Sequence, residues 1–172
     1  PEKCIDPIVI ASRIVLNLQT MVGREISPLE PVVVTVGSIH GGTRPNIIPD
    51  EVKLELTLRY YSEEAIEQVI SAIERISNSA AMAAGMPSDK LPEIIIVEGK
   101  TPPVLNDPEL TGRVRKFASE AIGEENIITT APAMVGEDFG RYGHTEEKVP
   151  INLIWLGSTS PAKASHRTTR KT

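Results

Sequence analysis

Ile8, Ala11, Val15, Leu18 and Val22 recur at the three-and-four spacing of one helix face. Asp6 stands ahead of them as an N-cap with Pro7 at the first helical position, and Gly23 follows as a stop, so a helix is predicted from Pro7. "VVVTVGSI", Val32 to Ile39, is short and β-branched and reads as a strand. A second strand shows clean alternation: Val52, Leu54, Leu56 and Leu58 face one way, and Lys53, Glu55, Thr57 and Arg59 the other. Its sheet therefore has one face against a core and one face open. Ser62 caps a second helix with Glu63 and Glu64 in its first turn; Ile66, Val69, Ile70, Ile73 and Ile76 form the apolar stripe, and Gly85-Met86-Pro87 ends it. "EIIIVEG", Glu93 to Gly99, reads as a further strand.

This order is α-β-β-α-β. One strand ahead of Pro1 would complete βαββαβ, the ferredoxin-like unit, and the mid-protein character of "PEKCIDP" leads us to expect that such a strand precedes it. The pattern changes at the proline-rich "KTPPVLND". A third helix follows, with Asp107 as cap, Pro108 next, then Leu110, Val114, Phe117 and Ala121, and Gly123 as stop. "NIITT" and "INLIWLG" read as strands on either side of the polar loop "APAMVGEDFGRYGHTEEK". The fold class expected is α+β: a ferredoxin-like domain lacking its first strand over residues 1–99, a second region over 100–160, and a disordered basic tail over 161–172.

Composition narrows the function. The net charge of −5 and an aromatic content of 3% argue against nucleic-acid partners. No apolar run reaches the ~18 residues of a membrane span, and no signal-peptide pattern opens the sequence. Cys4 is the single cysteine, which excludes an intrachain disulfide and a cysteine zinc cage and fits a reducing cytoplasm.

Few residues stand out as chemical. His40, His144 and His166 lie at unrelated spacings and read as surface histidines, while Ser38 and Ser160 lack a nucleophile elbow. Glu137-Asp138, in a glycine-flanked loop, fits either a solvated turn or a pair that orients a ligand or a histidine. The loop "GGTRPNIIPD" has the better physical case. Gly41 and Gly42 admit close backbone approach, Pro45 and Pro49 stiffen the path, Asn46 offers an amide, and Arg59 presents a fork matching a carboxylate. A long hairpin whose asparagine bonds its own backbone explains the same residues.

"DPIVIASRIVLNLQTMVGREISP", then "VVVTVGSIHGGTRPNIIPDEVKLELTLR", "TPPVLND" and "GEDF", in this order, resemble the dimetal aminoacylase and carboxypeptidase-like amidohydrolases, in the hippurate hydrolase and N-acyl-amino-acid amidohydrolase branch. The likeness runs from Asp6 to about Gly157. It implies an α/β zinc-exopeptidase-like catalytic domain holding two divalent metals, zinc or manganese, and an inserted ferredoxin-like lid that forms a homodimer. Residues 1–99 would be most of the lid, and 100–160 the returning part of the catalytic domain. By the resemblance, Asn46 and Arg59 hold the free carboxylate of a small N-acyl amino acid or peptide-like substrate, beside Gly41 and Gly42. Glu137 and Asp138 support the metal site from outside it, and His166 stands in the region of the late metal ligand, in a context that does not match. The catalytic segment with the main ligands and the general base is absent from this sequence, so the chain is expected to bind no metal and to be inactive alone.

Asn46 precedes the second strand and Arg59 ends it. At about 3.3 Å per residue the path from Asp50 to Arg59 covers roughly 30 Å, too far for one small substrate, so either the chain doubles back at Pro49 or the two serve one site from different subunits, the second option fitting a dimerising lid. Two other readings compete: a non-catalytic dimerisation or ligand-binding module, and an RNA-recognition sheet. The acidic charge and the placement of Tyr60 and Tyr61 at the strand's end count against the latter.

Overall fold

The computed structural model describes residues 2–97, 99 and 101–158. They form α1 (Pro7–Arg24), β1 (Val33–Gly41), β2 (Val52–Arg59), α2 (Glu63–Ala83), α3 (Pro108–Ile122) and a one-turn α4 (Gly140–Gly143), with 3₁₀ turns at Ser88–Lys90 and Glu124–Asn126. The chain divides into two compact units. One is Pro1–Pro103 with Thr130–Asp138; the other is Val104–Thr129 with Phe139–Thr172.

The helix starts follow their caps. Asp6 accepts from the Ile8 amide at 2.9 Å, Ser62 from Ala65 at 3.2 Å and Asp107 from Leu110 at 2.7 Å. Each satisfies an amide that the first turn leaves without a helical partner, worth about 1 kcal/mol. Gly123 ends α3 at a φ of 87°. Gly23 does not end α1, which runs on to Arg24.

In the first unit α1 and α2 pack on one face of an antiparallel hairpin. Ile10, Ile14, Leu18 and Met21 of α1 meet Ile66, Val69, Ile73 and Ile76 of α2, with Val34, Val36, Leu54, Leu56 and Leu58 of the sheet closing the core. Leu18, Met21 and Val69 lose all or nearly all solvent contact, which stabilises by about 1.5–3 kcal/mol each.

The register carries an irregularity that alternation in β2 alone does not show. Val34 pairs with Leu58 and Val36 with Leu56, but Ser38, not Gly37, opposes Glu55. Gly37 is the extra residue of a bulge, and a one-residue insertion flips every side chain after it. Ile39 therefore shares Leu54's face, while Ser38 and His40 join Glu55 and Lys53 on the open face. There Ser38 Oγ donates to Glu55 at 2.7 Å and Lys53 Nζ at 2.6 Å.

Three predicted strands are not formed among the described residues. Among the described residues the only ladder is β1–β2, and "EIIIVEG", "NIITT" and "INLIWLG" lie outside it. Ile95 and Val97 are 75% and 81% exposed. An apolar β-branched run states a preference, but a strand also needs a neighbour offering its amides and carbonyls. In place of the expected ferredoxin-like sheet, the described residues form one two-stranded antiparallel hairpin. In the second unit Leu153 finds a substitute partner: the Asn106 side chain accepts from its amide at 2.8 Å and donates to its carbonyl at 2.9 Å.

That unit buries little. Leu110, Val114, Phe139, Tyr142, Val149 and Ile151 line an open apolar hollow of about 530 Å³. Residues 161–172, read as a tail, lie outside the described residues.

Candidate functional site

The hairpin separates the sequence's candidate residues into two groups. At the turn end, Gly41 pairs with Val52, and the loop beyond carries Gly42 and Asn46. Gly41 has a structural reason to be bare: a Cβ there would stand 2.5 Å from Val52 Cγ2. Gly42 has a conformational one, a φ of +75° close to Ile8 and Pro49, a region that favours glycine. Asn46 is exposed, and among the described residues its side chain takes no hydrogen-bond partner, so it does not satisfy its own loop. Its amide is open to a ligand.

At the far end, Arg59 closes β2 opposite Val33. Seven residue steps along the strand, about 23 Å, lie between this point and Val52. Val52, on the side of the loop that carries Asn46, and Arg59 thus stand at opposite ends of β2. Arg59 is half-buried, and among the described residues its guanidinium makes no hydrogen bond or ion pair, unlike Lys53, Arg75 and Arg115, which bond Glu55, Glu25 and Glu124. A partly desolvated, permanently charged fork without an anion is the feature of this end with chemical potential.

The segment Thr130–Asp138, which belongs to the same unit, comes to that end. Tyr61 Oη donates to the Ala133 carbonyl at 2.9 Å. Gly136 lies against Arg59, so that a Cβ there would be 3.0 Å from Nη1. Glu137 and Asp138 follow directly and are exposed. The pairing of Arg59 with this loop escaped sequence reasoning, since 77 residues separate the two (136 − 59) and no spacing rule joins them. The visible signal was a glycine ahead of the acidic pair.

Electrostatic shifts lie mainly beside the site. Hydrogen bonds from Lys53 and then Ser38 hold the Glu55 carboxyl below its ordinary range. Burial, then the nearby Glu63 charge, push the Tyr60 hydroxyl up. Among the described residues no group of three or more His, Cys, Asp or Glu is placed to hold a metal ion, so they do not form a dimetal centre. His40 and His144 are exposed, and His166 lies outside the described residues. No helix among the described residues is long and apolar enough to cross a membrane.

Residues 1–84 match the peptidase dimerisation domain. The chain is 35% identical over 157 residues to N-acetyldiaminopimelate deacetylase of Leuconostoc citreum, covering 91% of itself and 38% of that protein. It is 35% identical over 162 residues to N-acetyl-L-cysteine deacetylase of Bacillus subtilis, covering 92% of itself and 36% of that protein. A solved structure described as an aminohydrolase from methicillin-resistant Staphylococcus aureus superposes with a TM-score of 0.68 at 31% identity, over 84% of this chain and 36% of that one. A dinuclear metal-binding peptidase from Bacillus subtilis superposes with a TM-score of 0.57 at 28% identity, over 85% and 35%. The chain thus spans well under half the length of these relatives.

Proposed function

We propose, for a chain that belongs to the M20 peptidase family through its dimerisation domain, that it forms part of a metal-dependent amidohydrolase and supplies the grip on the substrate's free carboxylate. The observation that carries this is the half-buried Arg59 guanidinium with no anion among the described residues. The relatives' names add the substrate class. N-acetyldiaminopimelate and N-acetyl-L-cysteine are both acylated amino acids, and each keeps a carboxylate beside the amide to be cleaved.

On this reading residues 1–99 are the lid and dimerisation domain, 100–160 the returning part of the catalytic domain, and 161–172 a tail. A homodimer built through the lid brings the partner's exposed loop to Arg59, so that one carboxylate meets Arg59 of one protomer and Asn46 of the other. The roughly 23 Å between the two ends of one hairpin supports this arrangement. Gly41 and Gly42 shape the loop that delivers Asn46, while Glu137 and Asp138 belong to the loop beside Arg59.

The described residues do not fit a dimetal site, so the two divalent ions, zinc or manganese, are assigned to the rest of the whole protein. This chain's own part is binding and orientation. Two-point attachment of the carboxylate fixes the scissile amide, and lid closure then excludes water. A cytoplasmic setting fits the free, exposed Cys4.

Subunit mixing in the whole protein tests this reading. Asn46→Ala and Arg59→Ala homodimers should each bind substrate poorly. Random exchange should restore about a quarter of the sites, because each mixed dimer holds one intact pair. No recovery on mixing sinks the shared-site reading.

A further inference from the structure

We propose that Gly136 is a positioning residue for the Arg59 guanidinium: its missing side chain is the space in which that group is seated. This rests on the reading of Arg59 as the carboxylate anchor.

Glycine is required at a position for one of two reasons, a left-handed backbone or a lack of room. The glycines with positive φ among the described residues are Gly42, Gly85, Gly99 and Gly123; Gly136 is not one of them, so any residue could adopt its backbone. Room is the remaining reason. A Cβ on Gly136 would have as its three nearest neighbours Arg59 Nη1 at 3.0 Å, Cζ at 3.9 Å and Nη2 at 3.9 Å, all from one guanidinium. Favourable heavy-atom contact lies near 3.5–4.0 Å, so even alanine would push Nη1 away by about 0.5 Å. That is the tolerance to which a binding group must be held.

The atom displaced is the tip of a long, flexible side chain, so folding loses little while the anchor loses its seat. The loop cannot simply move off to make room. Tyr61, two residues beyond Arg59 on the same strand exit, bonds Ala133 three residues before Gly136. Strand end and loop are thereby tied beside the guanidinium.

The test uses the 172-residue chain. The Arg59 Nε–Hε resonance, assigned by its loss in Arg59→Lys, is followed in wild type and in Gly136→Ala, with N-acetyl-L-alanine as the titrant and its carboxyl amide as control. In wild type the resonance should be as ordered as the backbone and should move with the free acid but not with the amide. In Gly136→Ala it should shift and become mobile, the apparent affinity for the acid should fall about 5-fold or more, and Tm should stay within about 2 °C. Gly112→Ala, on α3 with open space around its Cβ, should change none of these.

An Arg59 resonance unchanged in position and order in Gly136→Ala overturns the proposal, as does a general loss of structure in that variant accompanied by an unaltered Arg59 in Tyr61→Phe, which frees the loop without adding an atom. If wild-type Arg59 is ordered yet ignores the free acid, the carboxylate reading fails instead, and the order comparison alone decides the seat.

Discussion

Helix α2 begins on Ser62 and helix α3 on Asp107, each accepting from an amide three residues on, and each carries an apolar stripe. Yet α2 buries Ala65, Ile66, Val69, Ala72, Ile73, Ile76, Ser77, Ala80 and Ala81, while α3 buries no residue. Phe117, at the centre of α3's stripe, is 65% exposed. The stripe says which face of a helix gains from being covered. Whether it is covered depends on a layer that lies elsewhere in the chain, or in the rest of the protein. The first unit has that layer in the β1–β2 hairpin and α1; the second offers α3 only the walls of an open hollow.

The largest test of this contrast is Leu18→Ala against Phe117→Ala. Removing the fully buried Leu18 should cost about 2–5 kcal/mol in urea unfolding, and truncating the exposed Phe117 less than about 0.5 kcal/mol. Similar losses would break the comparison. Next comes chemistry: Arg59→Ala in the whole protein should raise KM for an N-acyl amino acid about 10- to 100-fold, the loss of one charged hydrogen-bonding partner, whereas Arg113→Ala on α3 should leave it unchanged. An unaltered KM in Arg59→Ala would remove the site from the first unit.

Smaller effects sharpen the contrast. Ser62→Ala and Asp107→Ala should each cost their helix about 1 kcal/mol despite the difference in burial, because a cap acts within one turn. Unequal helix losses by circular dichroism would show that packing and capping are coupled. Least of all is the open face of the sheet. Glu55 has a lowered folded pKa, so it adds stability above the ordinary carboxylate range that is lost as pH falls through the folded value. The side chain is exposed, so the change should be slight: Tm should drop marginally less between pH 6 and pH 3 in Glu55→Gln than in wild type. An equal drop in both would show that the Lys53–Glu55–Ser38 bonds do not contribute.

Much of the first unit was legible because its rules are local. Asp6 and Ser62 cap where their side chains can reach an amide, and Leu54, Leu56 and Leu58 alternate because a strand's period is two. The bulge at Gly37 was not legible, since an extra residue declares itself only against a partner strand. Of the candidate site, the residue types at Asn46 and Arg59 could be read, but their separation to opposite ends of one hairpin needed the register, and the seat at Gly136 needed the returning loop.

The sequence by itself determined where helices start, which faces are apolar, and that an arginine fork closes β2, because these follow from side chains acting on backbone within a turn or a strand pair. Only the tertiary structure decided which apolar runs find partners and which backbone lies against that fork. Such choices depend on groups far apart in the chain, and no local periodicity encodes which distant surface will be present.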